Sequence, residues 1–186
     1  VWVADVTDLR LEHEFAYLAV LLDAWSRKVV GYAVSPVLDA RLPLAALKAA
    51  LESRRPPAGL IHPSDRGVQY AARRYRERLA EAGLRGSMSR TGNPYDNAQV
   101  KSFIKTLKHE EVYLHDDATV QDAIERLPNF LEEIYNRKRL HSALGYRPPE
   151  AYEALHAQPA AEVNPCDPAC PPSGGHSSFC AIPNRR

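Results

Sequence analysis

The stretch VWVADVTDLRLEHEFAYLAVLLDAWSRKVVGYAV, residues 1–34, holds three apolar, β-branched runs in succession, at 1–7, 16–22 and 28–34. Valine and tyrosine suit the pleated, half-buried surface of a sheet, and the runs have strand length. Glu12, His13 and Glu14 make a polar turn between the first two runs, and Ser26-Arg27 separates the second from the third. Links this short join antiparallel neighbours, because a parallel crossover needs a dozen residues or more. The chain is therefore expected to open with a three-stranded antiparallel meander.

Beyond it the period changes from two to 3.6. From Asp39, a suitable N-cap, Leu44, Leu47 and Leu51 recur at helical spacing until Pro56-Pro57 stops the run. A brief strand is expected at 60–62, and a helix from about Gln69 to Ala82 brings Tyr75 and Leu79 together before Gly83 at its C′ position. Residues 84–89 read as a fifth strand. Asn93-Pro94, an N-cap followed by a proline at N1, opens a helix with Phe103 and Leu107 on one face. A last helical stretch runs from about Thr119 to Tyr135, with Pro128 expected to kink or split it. Strands first, then alternating helices and strands, give an α/β fold with a mixed five-stranded sheet flanked on both faces by helices. One domain is expected over residues 1–156. The Pro/Cys-rich tail, 157–186, loses all periodicity and is expected to be disordered.

The chain has 186 residues, 45% of them hydrophobic and 25% charged, and no apolar run approaches the ~20 residues that cross a bilayer, so no membrane role is expected. The net charge of +1 hides local clusters at Arg73, Arg74, Arg76 and Arg78 and at Arg137, Lys138 and Arg139, so any contact with a polyanion must be local. All three cysteines, Cys166, Cys170 and Cys180, fall in the tail, which suits a core that folds in a reducing cytoplasm. The first residue is Val1 rather than Met, and the chain reads as a piece of a longer protein.

Asp5 lies inside the first strand and Asp65 just after the fourth. An ionised carboxylate there is costly unless it reaches a sheet edge or holds a cation, although an aspartate after a strand serves equally well as a turn-former or helix cap. Four motifs carry a more specific signal: Trp2-Val3-Ala4-Asp5-Val6-Thr7, His62-Pro63-Ser64-Asp65-Arg66-Gly67-Val68-Gln69-Tyr70, Gly92-Asn93-Pro94-Tyr95-Asp96-Asn97-Ala98 and Tyr135-Asn136-Arg137-Lys138-Arg139-Leu140-His141-Ser142-Ala143-Leu144-Gly145-Tyr146. In this order they resemble the signatures of bacterial insertion-sequence transposases of the retroviral-integrase superfamily, over residues 1 to about 152. The resemblance implies a ribonuclease H-like catalytic core that joins DNA strands with Mg²⁺ or Mn²⁺ held by two aspartates and a glutamate. It also implies DNA as partner, a homo-oligomer assembled on DNA, a bacterial cytoplasmic, nucleoid-associated setting and a helix-turn-helix region ahead of Val1 that recognises element ends.

Asp5 and Asp65 match the first and second carboxylates, which makes them the expected metal ligands. The glutamate is expected after an interval of thirty-five residues, and Lys101 stands there. A charged lysine has no lone pair to give a metal and adds a positive charge where a negative one is required. Its ammonium is expected to sit between the two aspartates and leave a salt-bridged, metal-poor site. Read without the motif, Lys101, Lys105 and Lys108 at i, i+4 and i+7 are a solvated helix face. With it, Arg66, Lys105, Lys108, Arg137, Lys138, Arg139 and His141 become candidate DNA contacts, a role for which a solvated surface is an equal alternative. Cys166, Cys170, His176 and Cys180 offer four possible zinc ligands at a spacing that matches no established zinc motif. Two functions of different classes remain: a metal-dependent DNA strand-transferase impaired by Lys101, and a non-catalytic DNA-binding or multimerising remnant.

Overall fold

The computed structural model describes residues 1–12, 14–64, 68–88, 98–114 and 119–157. Trp2–Arg10 (β1), Phe15–Asp23 (β2) and Val29–Ser35 (β3) form the expected antiparallel meander with β2 at its centre. Its register runs from Trp2 opposite Asp23 to Arg10 opposite Phe15, with an irregularity in the β2–β3 pairing at Leu21 and Leu22. β2 is apolar almost throughout because both its faces are covered. Leu18, Val20 and Leu22 enter one core with Val3 and Leu9, while Ala19 and Leu21 enter a second with Trp2 and Ala4.

The second core is closed by Arg41–Arg54 (α1), which buries Leu42, Ala46, Leu47, Ala50 and Leu51. The helix begins after Ala40 rather than at Asp39. The Asp39 side chain accepts the Arg41 N–H at 2.8 Å from one residue ahead of the N-cap position, which Ala40 holds. α1 lies unusually close to β3: a Cβ built on Gly31 would stand 2.5 Å from the Ala46 carbonyl oxygen and 2.6 Å from the Ala50 Cβ. Only glycine allows that approach.

Ile61–Ser64 (β4) and Arg85–Met88 (β5) pair in parallel as a separate two-stranded sheet, so three strands plus two replace the single five-stranded sheet expected. β4 still lies beside β1, joined by a side chain: His62 Nδ1 stands 2.8 Å from the Trp2 carbonyl oxygen. Pro63 brings no N–H to this four-residue strand, which shortens any backbone ladder it can form. Between β4 and β5 the expected single helix is two, Val68–Ala71 (α2) and Arg73–Glu81 (α3), broken at Ala72, whose ψ of 135° is extended. Tyr75 and Leu79 are buried as anticipated, and Gly83 takes the left-handed φ of 68° that a C′ glycine supplies.

The first core is closed by Ala98–Glu110 (α4), which buries Val100, Phe103 and Leu107, and by Val120–Pro128 (α5). The expected start of α4 at Asn93-Pro94 lies outside the described residues. Thr119 caps α5 in a reciprocal box with Asp122. Pro128 does not split the helix. The chain continues without interruption into a π-helix, Asn129–Asn136, whose wider turn follows the proline that cannot donate. Pro149–His156 (α6) then returns to the meander, where Glu153 accepts hydrogen bonds from Ser26 at 2.7 Å and from Arg54 Nη1 at 2.8 Å. Among the described residues no helix is long and apolar enough to cross a membrane.

Candidate active site

Alternation along β1 sends Val3 and Leu9 into the α4 side of the sheet, so Asp5, between them in register, shares their face. It is half-buried near mid-strand, and its Oδ1 accepts the Val6 N–H at 2.9 Å. A cleft of about 300 Å³ opens beside it, lined by Asp5, Thr7, Asp8, Tyr17, Gln69 and Tyr70 among others. Gln69 and Tyr70 come from α2, which begins three residues after Asp65, so the second quoted motif does meet the first at this cleft. Asp65 and Arg66 themselves lie outside the described residues.

α4 presents different chemistry on its two flanks. Lys101, Lys105 and Lys108 share one. Lys101 and Lys105 are exposed, whereas Lys108 places its Nζ 3.0 Å from Asp8 Oδ1 on β1 and, chiefly through that hydrogen bond, lowers the Asp8 carboxyl below its usual range. The other flank, with Gln99, Thr106 and Glu110, faces the chain after the π-helix. Glu110 is ion-paired with Arg139, and buried Glu111 with Arg126, so both carboxylates following Lys101 are already engaged.

The basic run after Tyr135 is not a continuous cationic stripe. Arg137 is held between Glu133 and Glu150, and Arg139 is paired with Glu110, while Lys138 alone of the three forms no ion pair among the described residues. His141 is half-buried against Tyr135, ring centroids 5.1 Å apart, and burial followed by the charges of Arg139 and Arg27 lowers it to about 4. Among the described residues no group of three or more His, Cys, Asp or Glu side chains is placed to hold a metal ion. The four tail residues considered for zinc lie outside the described residues.

Sequence reasoning assigned no role to His62. Its ring is fully buried, with Nδ1 at 2.8 Å from the Trp2 oxygen and Nε2 at 2.7 Å from the Tyr75 hydroxyl. The Trp2 carbonyl can only accept, so Nδ1 carries the proton and Nε2 accepts from Tyr75. The bridge joins the residues three before Asp5 and three before Asp65. A histidine in an apolar strand gives no sign of this, because the partner is a carbonyl 60 residues away.

Two models, both described as Integrase core domain, match the chain over residues 1–94 and 82–149. The uncharacterized 31 kDa protein of insertion element IS600 from Shigella sonnei is 44% identical over 161 residues, covering 87% of this chain and 59% of that protein. Transposase InsF of insertion sequence IS3A from Escherichia coli K12 is 42% identical over 154 residues, covering 82% and 53%. The chain thus spans a little over half the length of these curated relatives. Among solved structures, the HTLV-2 integrase catalytic core domain in complex with magnesium, in its trimeric form, matches with a TM-score of 0.61 at 15% identity, covering 81% of this chain and 93% of that one. The catalytic core domain of BIV integrase matches at 0.58 and 23% identity, covering 83% and 95%. These likenesses show a ribonuclease H-like fold.

Proposed function

Because the chain belongs to the integrase core domain family, we propose that it is the core of a DNA transposition and integration protein whose strand-joining step is impaired by Lys101. The observation that carries this reading is an exposed lysine at the position where the resemblance calls for the third metal-binding carboxylate. Two aspartates and an ammonium do not fit a two-ion site. A cation at position 101 repels a divalent ion and donates hydrogen bonds where the ion needs lone pairs.

The packing of α4 supports an electrostatic role for Lys101. Lys108 meets Asp8, and Gln99 and Phe103 line a cavity with Leu22, the ladder partner of Val3. α4 therefore runs alongside β1 in the same sense. Counting back from the Lys108–Asp8 pair, Lys101 is seven residues and ~10 Å along the helix, and Asp5 is three residues and ~10 Å along the strand. The matching steps support a reading in which the ammonium stands at the level of the Asp5 carboxylate, where it would relieve its repulsion with Asp65.

DNA is the proposed partner, met by Arg66, Lys105 and Lys138 at exposed or motif positions and by Lys108, Arg137, Arg139 and His141 only if their present contacts open. A homo-oligomer on DNA, a helix-turn-helix region before Val1, a domain boundary near residue 156 and a cytoplasmic, nucleoid-associated setting belong to the same proposal. The lysine also favours a second reading, a non-catalytic DNA-binding or multimerising remnant. Calorimetric titration of Mn²⁺ into the parent chain, Lys101→Glu and Lys101→Glu/Asp65→Ala tests the site. Heat of binding is expected only for Lys101→Glu, and binding by the parent would refute the impaired site.

A further inference from the structure

A second cavity, about 190 Å³, lies across α4 from the lysines, between the β2–β3 turn and the segment 139–142. Two polar atoms that line it, Gln99 Oε1 and His141 Nε2, are buried and lack hydrogen-bond partners among the described residues. Unpaired polar atoms in this state are uncommon and call for a missing partner. Arg27 reaches the same cavity and forms no ion pair among the described residues, whereas Arg139 shares its charge with Glu110. Around the cavity, two guanidinium groups face one carboxylate.

The backbone gives a second, independent observation. Arg27 adopts a left-handed φ of 60°, held by its N–H bonding to the Asp23 oxygen at 2.8 Å. This region is costly for a residue with a Cβ, and glycine would occupy it more cheaply. An arginine kept at a strained turn, with its side chain beside two orphaned polar atoms, points to work done by the guanidinium.

The chemistry required of the occupant follows from the groups present. The Gln99 amide can turn either end inward and His141 can adopt either tautomer, so neither selects a ligand. Ser102 and Thr106, also lining the cavity, donate or accept. Arg27 only donates and carries a full charge. The cavity therefore asks for a compact anion with several acceptor oxygens. Water would satisfy Gln99 and His141 but would leave the excess positive charge unanswered.

We propose that this cavity is a seat for a single phosphate group, held by Arg27 with His141, Gln99 and the Ser102 and Thr106 hydroxyls. The phosphate comes either from a DNA backbone or from free phosphate, and the two sources separate experimentally. The probe is ¹⁵N NMR of the His141 ring, assigned with His141→Gln, during titration with inorganic phosphate against chloride at equal ionic strength. Arg27→Gly removes the guanidinium while accepting the turn's φ, so a thermal melt at least as high as the parent's is expected to certify its fold. A saturable, phosphate-specific shift at Nε2 in the parent and its loss in Arg27→Gly support the seat. In a second arm, the anisotropy of a labelled DNA duplex is followed between about 50 and 200 mM salt. If DNA supplies the phosphate, Arg27→Gly weakens binding several-fold and lowers the log–log salt slope by about one. If DNA affinity is the same for both chains, or absent, while the phosphate shift persists, the seat takes free phosphate. No phosphate-specific shift in the parent, together with equal DNA affinities for parent and Arg27→Gly, overturns the proposal and leaves the integrase-core reading untouched.

Discussion

Acidification is expected to loosen the junction between β1 and β4 through one buried imidazole. Burial lowers His62 from 6.5 to about 4, against the opposing pull of the Trp2 carbonyl. In the unfolded chain the same ring titrates at its ordinary value. As pH falls below about 7, the unfolded state therefore takes up a proton that the native state refuses, and stability drops until the native ring also titrates near 4. At 1.36 kcal/mol per pH unit, the difference between 6.5 and about 4 amounts to about 3 kcal/mol, a large fraction of a small domain's stability. The assay is urea unfolding followed by circular dichroism at pH 7.5, 6.5, 5.5 and 4.5, comparing the parent with His62→Gln. The variant is expected to be less stable at pH 7.5 and to show a much shallower pH dependence. Carboxylates such as Glu153, lowered against the cost of its burial by Arg54 and Ser26, contribute at lower pH and equally in both chains. The half-exposed His141 is also lowered, and water screens much of its effect. Equal slopes for the parent and His62→Gln would refute a neutral, hydrogen-bonded His62 at this junction.

Two further substitutions test the packing that supports the candidate site. Gly31→Ala pushes a methyl into the Ala46 carbonyl and the Ala50 backbone, neither of which can rotate away, so a loss of about 2–3 kcal/mol in urea unfolding is expected. An unchanged midpoint would mean that α1 rides higher on β3 than the structure has it. Asn136→Ala strips the edge strand of two bonds, since Asn136 Oδ1 accepts the Val29 N–H at 2.9 Å and its Nδ2 donates to the Val29 oxygen at 3.0 Å. The adjoining cavity of about 570 Å³ lets water in, which limits the cost to about 2 kcal/mol, and amide exchange at Val29 should accelerate.

Local physics made much of this fold legible. The runs at 1–7, 16–22 and 28–34 announce the meander because side-chain alternation and short turns depend on neighbouring residues. Tyr75 with Leu79, and Phe103 with Leu107, announce buried helix faces for the same reason. The order of motifs brought Asp5, Asp65 and Lys101 together as candidates before any coordinates, and Asp5 does border a cleft shared with Gln69 and Tyr70. What sequence reasoning missed depends on distant partners. Arg137 and Arg139 read as a basic run, yet beyond the local pair with Glu133 their charges are taken up by Glu150, 13 residues on, and Glu110, 29 residues back. The link that holds β4 beside β1 is a histidine that reaches a carbonyl 60 residues earlier, and the anchor of α6 on Ser26 spans 127 residues. Periodicity and propensity record what a residue does to its own turn of chain. Which charge is neutralised, which polar atom is left unpaired and which strand stays outside the ladder are set by contacts made only once the chain has closed on itself.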